Sequence, residues 1–231
     1  MHKIEGEFEP IRSILPIINN YKEQRDFSGL VLFDNNFTYH PYFNDIVNEI
    51  YESKLPVDFS QGLDNLVINE DQVKQLSQLS WGSQSQNGTN YIRFACDNWK
   101  QINGLERSLR LCKEHNIKAN YFAYFLYNFN DSPKEVFAKI LKVYETVMSV
   151  GKTVFLFPQE YEPLDSLNRH CHVDKGWTKT QLIGFRKLYT HIHGFLPLTM
   201  TGGLFNWIGH NETEFVNLLI KYGTGHGVVK T

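Results

Sequence analysis

The sequence predicts an α/β fold whose strands run parallel. Short apolar runs that end in polar residues alternate with single stretches of helical periodicity at least four times along the chain. A strand, one amphipathic helix and the next strand in succession are typical of parallel β/α units. With 231 residues, 42% of them hydrophobic, the chain is long enough for one domain with a substantial core.

Two β/α units are expected before residue 80. Residues 31–33 close an apolar run that stops at the polar triplet DNN, and helical spacing begins after Pro41, which favours the first turn of a helix. A short strand within Leu55–Asp64 ends at a Gln-Gly pair, and helical spacing returns after it. A polar loop, residues 82–90, separates these units from the next ones.

Two longer units and a fifth strand follow this loop. A strand at Tyr91–Cys96 precedes a helix that should stop near His115. A strand from Ile117 through Phe129 precedes a helix opened by Ser132 and a proline, with Glu at the third helical position, which is an N-cap signature. The fifth strand is expected at Thr153–Phe157, ending at the next proline.

The alternation fades after Glu162. Amphipathic helices are expected at residues 177–189 and 214–222, on either side of the aromatic and Gly-rich segment PLTMTGGLFNWIG. We therefore divide the chain into a β/α part, residues 1–164, and an extension, residues 165–231, that packs on the first part or covers it.

Composition and charge argue against several classes of protein. The formal net charge is −2, with 23 basic and 25 acidic residues interspersed, so no basic stripe indicates binding to nucleic acid or to an anionic membrane. The sequence contains no signal peptide pattern and no apolar run long enough to cross a bilayer. Three scattered cysteines do not form a disulfide framework. We expect a cytoplasmic protein.

Polar residues stand at the carboxyl end of each predicted strand, where parallel α/β proteins bind their ligands. Turn chemistry alone would also favour Asn, Asp and Gly at these positions. Because the pattern recurs at five strands, a ligand site is the favoured interpretation. The residues are Asp34, Asn35 and Asn36 after the first strand, Gln61 and Asp64 after the second, Asp97 and Asn98 after the third, Asn128 and Asn130 after the fourth, and Gln159 and Glu160 after the fifth.

Five short segments of the chain resemble, in their order and spacing, the radical S-adenosylmethionine enzymes with an incomplete barrel. They are IEGEF, VLFDNN, VDFSQGLD, RFACDN and YFLYNFNDSPKEV, spread over residues 4–164. The resemblance implies a partial, TIM-like (β/α)6 barrel whose rim holds S-adenosylmethionine against a four-iron four-sulfur (4Fe-4S) cluster. In that family the cluster supplies an electron that produces a deoxyadenosyl radical.

The resemblance also implies roles for individual residues. Glu5 and Gly6 correspond to the segment just after the cluster loop, and the strand-end acids and amides face the cofactor. Such groups accept hydrogen bonds from ribose hydroxyls and from the methionyl ammonium. The residues implied to bind the cofactor are Glu5, Gly6, Asp34, Asn35, Asn36, Gln61, Asp97, Asn128 and Asn130.

The cluster ligands depart from the family pattern. The family holds its cluster with a CxxxCxxC loop, because iron in such clusters requires thiolates. Here only Met1, His2 and Lys3 precede the IEG segment, and the three cysteines lack that spacing. We expect the loop on an upstream coding stretch or on a partner chain.

Two other interpretations remain open. In one, the chain is a degenerate, cluster-free barrel that binds a ligand or a protein; in the other, it is an unrelated α/β protein whose strand ends are only turns. No metal site is predicted within the chain. The run His170-Cys171-His172 invites a metal interpretation, but adjacent residues rarely point to one centre, so we do not expect a site there.

Overall fold

The computed structural model describes residues 9–22, 29–34, 36–82, 90–191, 196–198 and 203–225. Within these ranges the α-helices are α1 Leu15–Lys22, α2 Phe43–Ser53, α3 Glu70–Leu76, α4 Trp99–Glu114, α5 Pro133–Val150, α6 Lys179–His191, α7 Leu204–Ile208 and α8 Glu212–Gly223. The strands are β1 Leu30–Leu32, β2 Val57–Phe59, β3 Leu63–Asp64, β4 Tyr91–Ala95, β5 Asn120–Tyr127, β6 Val154–Glu160 and β7 Leu196–Leu198. In the same ranges, none of the helices has the length and apolar character needed to traverse a bilayer.

The parallel α/β class predicted from the sequence is confirmed, and the strands lie in two sheets. β1 and β2 form a parallel pair, while β3, β4, β5 and β6 pair in parallel in chain order. β7 joins β6 antiparallel, an orientation that the sequence did not predict. The described strands do not close into a barrel.

The division into two sheets occurs where one strand was expected. The segment Leu55–Asp64 contains both β2 and β3, separated by a three-residue turn, residues 60–62. β2 pairs with β1 and β3 pairs with β4, so this turn transfers the chain from one sheet to the other.

Side chains connect the two sheets across this turn. Asp58 of β2 forms an ion pair with Arg93 of β4, and both side chains are largely buried. The hydroxyl of Tyr124, on β5, donates to the carbonyl oxygen of Ser60 at 2.6 Å. These two contacts join the two sheets.

Local capping sets helix boundaries, and the sequence predicted the cap at the start of α5. Ser132 and Glu135 form a capping box at the start of α5, and Gly151 ends that helix in the left-handed conformation. The side chain of Asn98 accepts hydrogen bonds from the backbone N–H groups of Lys100 and Gln101 at the start of α4.

β6 extends past the predicted end at Pro158, because the proline does not interrupt a hydrogen bond. The Tyr161 N–H donates to the Tyr127 carbonyl at 2.9 Å, so alternate residues of this strand donate toward β5. Pro158 lies between two of these donating residues, so its backbone nitrogen points away from β5, toward the β7 edge. β7 pairs only with residues 154–156, so the proline interrupts no hydrogen bond there either. The strand therefore continues and carries Glu160 at its end.

The two faces of the central sheet differ in burial. On β4 and β5 buried and partly exposed residues alternate strictly, and β6 follows the same alternation through Pro158. The buried set belongs to one continuous hydrophobic cluster with residues of α4 and α5. Parallel sheets are usually buried on both faces, so the partly exposed face is an unusual surface.

The C-terminal helices pack on this core. The rings of Tyr127, on β5, and Phe185, on α6, lie 4.6 Å apart, and those of Phe137, on α5, and Phe215, on α8, lie 5.6 Å apart. Residues on either side of position 165 thus share one hydrophobic cluster.

Candidate functional site

The predicted residues after β1 make local turn contacts. The Asp34 carboxylate accepts a hydrogen bond from the Asn36 N–H at 2.8 Å, and the Asn36 side-chain oxygen accepts one from the Thr38 hydroxyl at 2.9 Å. These contacts shape the turn that leads into a short 3-10 helix, Phe37–Tyr39. Glu5, Gly6 and Asn35 lie outside the described residues.

Asn128 anchors a loop. It is fully buried, with a backbone φ of 63°, and its side chain donates to the His172 carbonyl at 3.0 Å and accepts from the Asp174 N–H at 2.8 Å. Asn130 also has a positive φ, and its N–H donates to the Asp174 carboxylate. Of the predicted residues, these two position the loop that follows β6.

Asp97 is the predicted residue that combines partial burial with a carboxylate lacking a hydrogen-bond donor. It follows β4 and is partly buried, and none of the described residues donates a hydrogen bond to its carboxylate. Burial raises the pKa of this carboxyl group, the ammonium of Lys139 opposes that rise, and the carboxylate of Asp64 adds to it. Gln61, by contrast, is exposed in the turn between β2 and β3.

The register brings Asp64 and Asp97 to neighbouring strand ends. Asp64 is paired with Ala95, two residues before Asp97. The sequence predicted this convergence of strand ends, because carboxyl ends of neighbouring parallel strands meet at one edge. Two carboxylates whose charges interact at such an edge favour a cationic or hydrogen-bond-donating ligand.

A buried ion pair beneath this edge was not found by sequence reasoning. Lys139, on α5, lies with its Nζ 2.8 Å from Oδ2 of Asp131, and both side chains are almost completely buried. Oδ1 of Asp131 accepts hydrogen bonds from the Trp177 indole at 3.1 Å and from the Phe129 N–H at 3.2 Å. The helical stripe that includes Val136, Ile140 and Val143 predicts only apolar packing for this side of α5.

The partly exposed face of the sheet below the edge is aromatic. Ring centroids of neighbouring side chains on β4, β5 and β6 lie 5.3–6.0 Å apart, and the guanidinium of Arg93 lies 5.7 Å from two of the rings. Such a surface offers flat partners for stacking. The rings belong to Tyr91, Phe122, Tyr124, Phe155 and Phe157.

A second polar cluster lies at the end of β6. His170 Nδ1 is 3.2 Å from Oε2 of Glu160 and 3.4 Å from Oε1 of Glu162. The Tyr127 hydroxyl donates to Oε2 of Glu160 at 3.3 Å, and Nε of Arg186 lies 3.2 Å from the same oxygen. The sequence placed Glu160 at a strand end and considered His170 only together with its two neighbours, so it did not connect them.

The cysteines do not form a site for an iron-sulfur cluster. Cys96 and Cys112 are buried, and Cys171 is exposed on the loop after β6. Burial raises the pKa of Cys96, with the nearby Asp97 charge adding to the effect, and burial raises that of Cys112 to about 12. Both thiols therefore stay protonated, whereas cluster ligands are thiolates.

A polar groove of about 610 Å³ lies between the start of α2 and the whole length of α3. It is lined by residues 40–44 and 69–78, and none of the predicted site residues contributes to it. The groove and the carboxyl edge are therefore separate features of the surface.

Comparisons of this chain with protein-family models, with curated proteins and with solved structures found no match.

Proposed function

We propose that this chain binds S-adenosylmethionine at the carboxyl edge of its parallel strands, in an incomplete barrel of the radical S-adenosylmethionine type. In support, successive strands neighbour each other in chain order from β3 to β6, as they do in a β/α barrel. The antiparallel β7 borders β6, which leaves the sheet open.

The carboxylate of Asp97 is the observation that carries the proposal. A partly buried acid whose pKa is raised by burial, beside a second acid and without a hydrogen-bond donor among the described residues, favours a partner that brings positive charge or donors. S-adenosylmethionine offers both, in its ammonium and sulfonium groups and its ribose hydroxyls. Its adenine ring could stack on the aromatic face defined above.

Radical chemistry would need cluster ligands from outside the described residues, because the cysteines described above do not fit a 4Fe-4S cluster. The proposed role of this chain is to bind and orient the nucleoside, and a partner chain would carry the cluster loop. The burial of Cys96 and Cys112 supports the alternative function, a cluster-free ligand-binding module.

Titration calorimetry with S-adenosylmethionine tests the binding site. We expect Asp97→Asn to weaken binding by about tenfold or more, since hydrogen bonds to a charged group contribute about 1.5–3 kcal/mol. The matched control is Glu52→Gln, which removes an exposed carboxylate on α2 and should leave the affinity unchanged. Equal affinities for both variants and the wild type would remove Asp97 from the site.

Asp97→Asn should at the same time stabilise the ligand-free protein at neutral pH. The folded state raises the pKa of Asp97 above its ordinary value of 3.8, so the folded protein binds more protons there and its stability falls as the pH rises through that range. The amide has no charge to desolvate. Urea unfolding at several pH values should show a stability gain for the variant that shrinks as the pH falls toward 3.8. A gain that grows toward acid pH would contradict the assignment.

Anaerobic reconstitution with iron and sulfide tests whether this chain holds a cluster by itself. Absorbance and electron paramagnetic resonance spectra should show no stable 4Fe-4S cluster on this chain alone. A cluster that forms on the wild type and is lost in a variant without Cys96 and Cys112 would overturn the assignment of the ligands to another chain or segment.

A further inference from the structure

We infer that Glu160, Glu162 and His170 form a binding site for a divalent first-row transition metal ion at the carboxyl end of β6. One ligand atom from each of the three residues can be chosen so that all lie within 4.8 Å of one another. Oxygen and imidazole ligands together suit Mn²⁺, Fe²⁺ or Zn²⁺. The site goes beyond the proposed nucleoside binding and does not depend on it.

The strongest support comes from carboxylate oxygens that accept no hydrogen bond from the part of the chain that the structure describes. The side chain of Glu160 is only 4% exposed, and its Oε1 is buried without a hydrogen bond from the described residues. Oε2 of Glu162 is likewise buried and unpaired. Buried carboxylate oxygens are normally hydrogen-bonded or coordinate a cation.

A simple ion pair between the histidine and the acids does not account for these atoms. His170 contacts Oε2 of Glu160 and Oε1 of Glu162, so even a protonated imidazole leaves the other oxygen of each carboxylate without a partner. Arg186 also lies against Oε2 of Glu160. With two carboxylates and one guanidinium, the cluster keeps one net negative charge, which favours a divalent cation.

The geometry of the strand end brings the carboxylates together. Glu160 is the last residue of β6, and Glu162 lies two positions beyond the strand; an oxygen of each carboxylate lies within 3.4 Å of His170 Nδ1. Ligand atoms around one ion at about 2.1 Å lie about 3–4 Å apart, so only a small closure of the three groups is needed.

The loop after β6 places His170 beside the two acids, with its backbone in a left-handed conformation. The backbone φ of His170 is 61°, and its N–H donates to Oε1 of Glu162. Asn128 holds the same loop through two hydrogen bonds to residues 172 and 174. A non-glycine residue held at positive φ next to two acids indicates a positioned side chain. His170 is half exposed, which leaves the ion open to water or to a ligand.

The experiment titrates the full chain, freed of metal by dialysis against a chelator, with Zn²⁺ by calorimetry and with Mn²⁺ by electron paramagnetic resonance. We expect a single ion per chain. Glu162→Gln and His170→Gln should each weaken binding by about tenfold or more, since even the loss of an outer partner of a metal ligand costs that much. Circular dichroism verifies that each variant folds. Because His170 is half exposed, His170→Gln should fold and still tests the site if Glu162→Gln does not fold.

Cys171→Ser and His172→Ala are the matched controls, because they change the neighbouring potential ligands and leave the three proposed ones intact. Both controls should bind the ions as the wild type does. The inference is overturned if the wild type binds neither ion, if both ligand variants retain full affinity, or if the loss of affinity occurs in the controls. S-adenosylmethionine is absent from these titrations, so their outcome is independent of nucleoside binding.

Discussion

Lys139→Met is expected to lower the free energy of unfolding by about 3–5 kcal/mol, the range for removing one partner of a buried ion pair. The substitution leaves the Asp131 carboxylate almost completely buried without its counter-charge. The remaining donors, the Trp177 indole and the Phe129 N–H, are both on Oδ1, whereas Oδ2 loses Lys139. Urea unfolding followed by circular dichroism measures the loss.

A second substitution tests this cause. In the double variant Lys139→Met with Asp131→Asn the buried charge is gone, and the amide oxygen can still accept from Trp177 and Phe129. We expect the double variant to be more stable than Lys139→Met alone, because the main penalty is the unpaired charge. If the two variants are equally unstable, the loss arises from packing around Lys139 and not from its charge.

The Lys139→Met substitution should also change the pKa of Asp97 at the candidate site. The charge of Lys139 opposes the rise in the pKa of Asp97, so its removal raises that pKa further. Asp97 would then be protonated over a wider range of pH, and S-adenosylmethionine binding would weaken at acid pH earlier than in the wild type. The buried pair therefore links the stability of the core to the charge at the carboxyl edge.

Gly184→Ala is expected to disrupt the packing of α6 against α8, with a loss of about 3 kcal/mol or more, the upper part of the range for overpacked positions. A Cβ at position 184 would lie 1.8 Å from the carbonyl oxygen of Leu219, a contact with rigid helix backbone. At Gly223, on the other helix, a Cβ would lie 2.0 Å from the Thr180 carbonyl oxygen. The two helices can approach this closely only because both positions lack a side chain.

Thermal unfolding of Gly184→Ala is best compared with that of Gly203→Ala. A Cβ at position 203 meets no atom of the described residues within 4 Å, and the backbone φ there is −66°, which alanine adopts without strain. The control should therefore be as stable as the wild type or slightly more so. Equal melting temperatures for the two variants would show that α6 and α8 are not in contact as described.

The relation between sequence and fold is clearest at α5. Ser132, the following proline and Glu135 predict the start of that helix, and the structure contains the complete capping box. Three residues at fixed spacing are enough for this prediction, because the contacts span less than one helical turn. The turn after β1 is similarly local, since Asp34 bonds to a backbone group two residues away.

The arrangement of the sheets could be predicted only in part. The alternation of strands and helices predicts parallel strands. It does not predict the transfer between sheets at residues 60–62 or the antiparallel β7, because both depend on which strand edges pair with each other in the folded protein. The sequence pattern also does not separate aromatic rings of the core from those of the surface. On β4, β5 and β6 alternate residues lie in the core and the others lie on a partly exposed face.

The sequence by itself determined the parallel α/β class, the cap at the start of α5 and the placement of acids and amides at strand ends, because these depend on residues close together in the chain. Only the tertiary structure decided which of those groups meet a partner. The Asn128 side chain forms hydrogen bonds with a loop that begins more than thirty residues later in the chain. Lys139 forms an ion pair with Asp131 inside the core. Glu160 meets His170 only because that loop folds back on the strand, a contact that depends on long-range packing and not on local sequence.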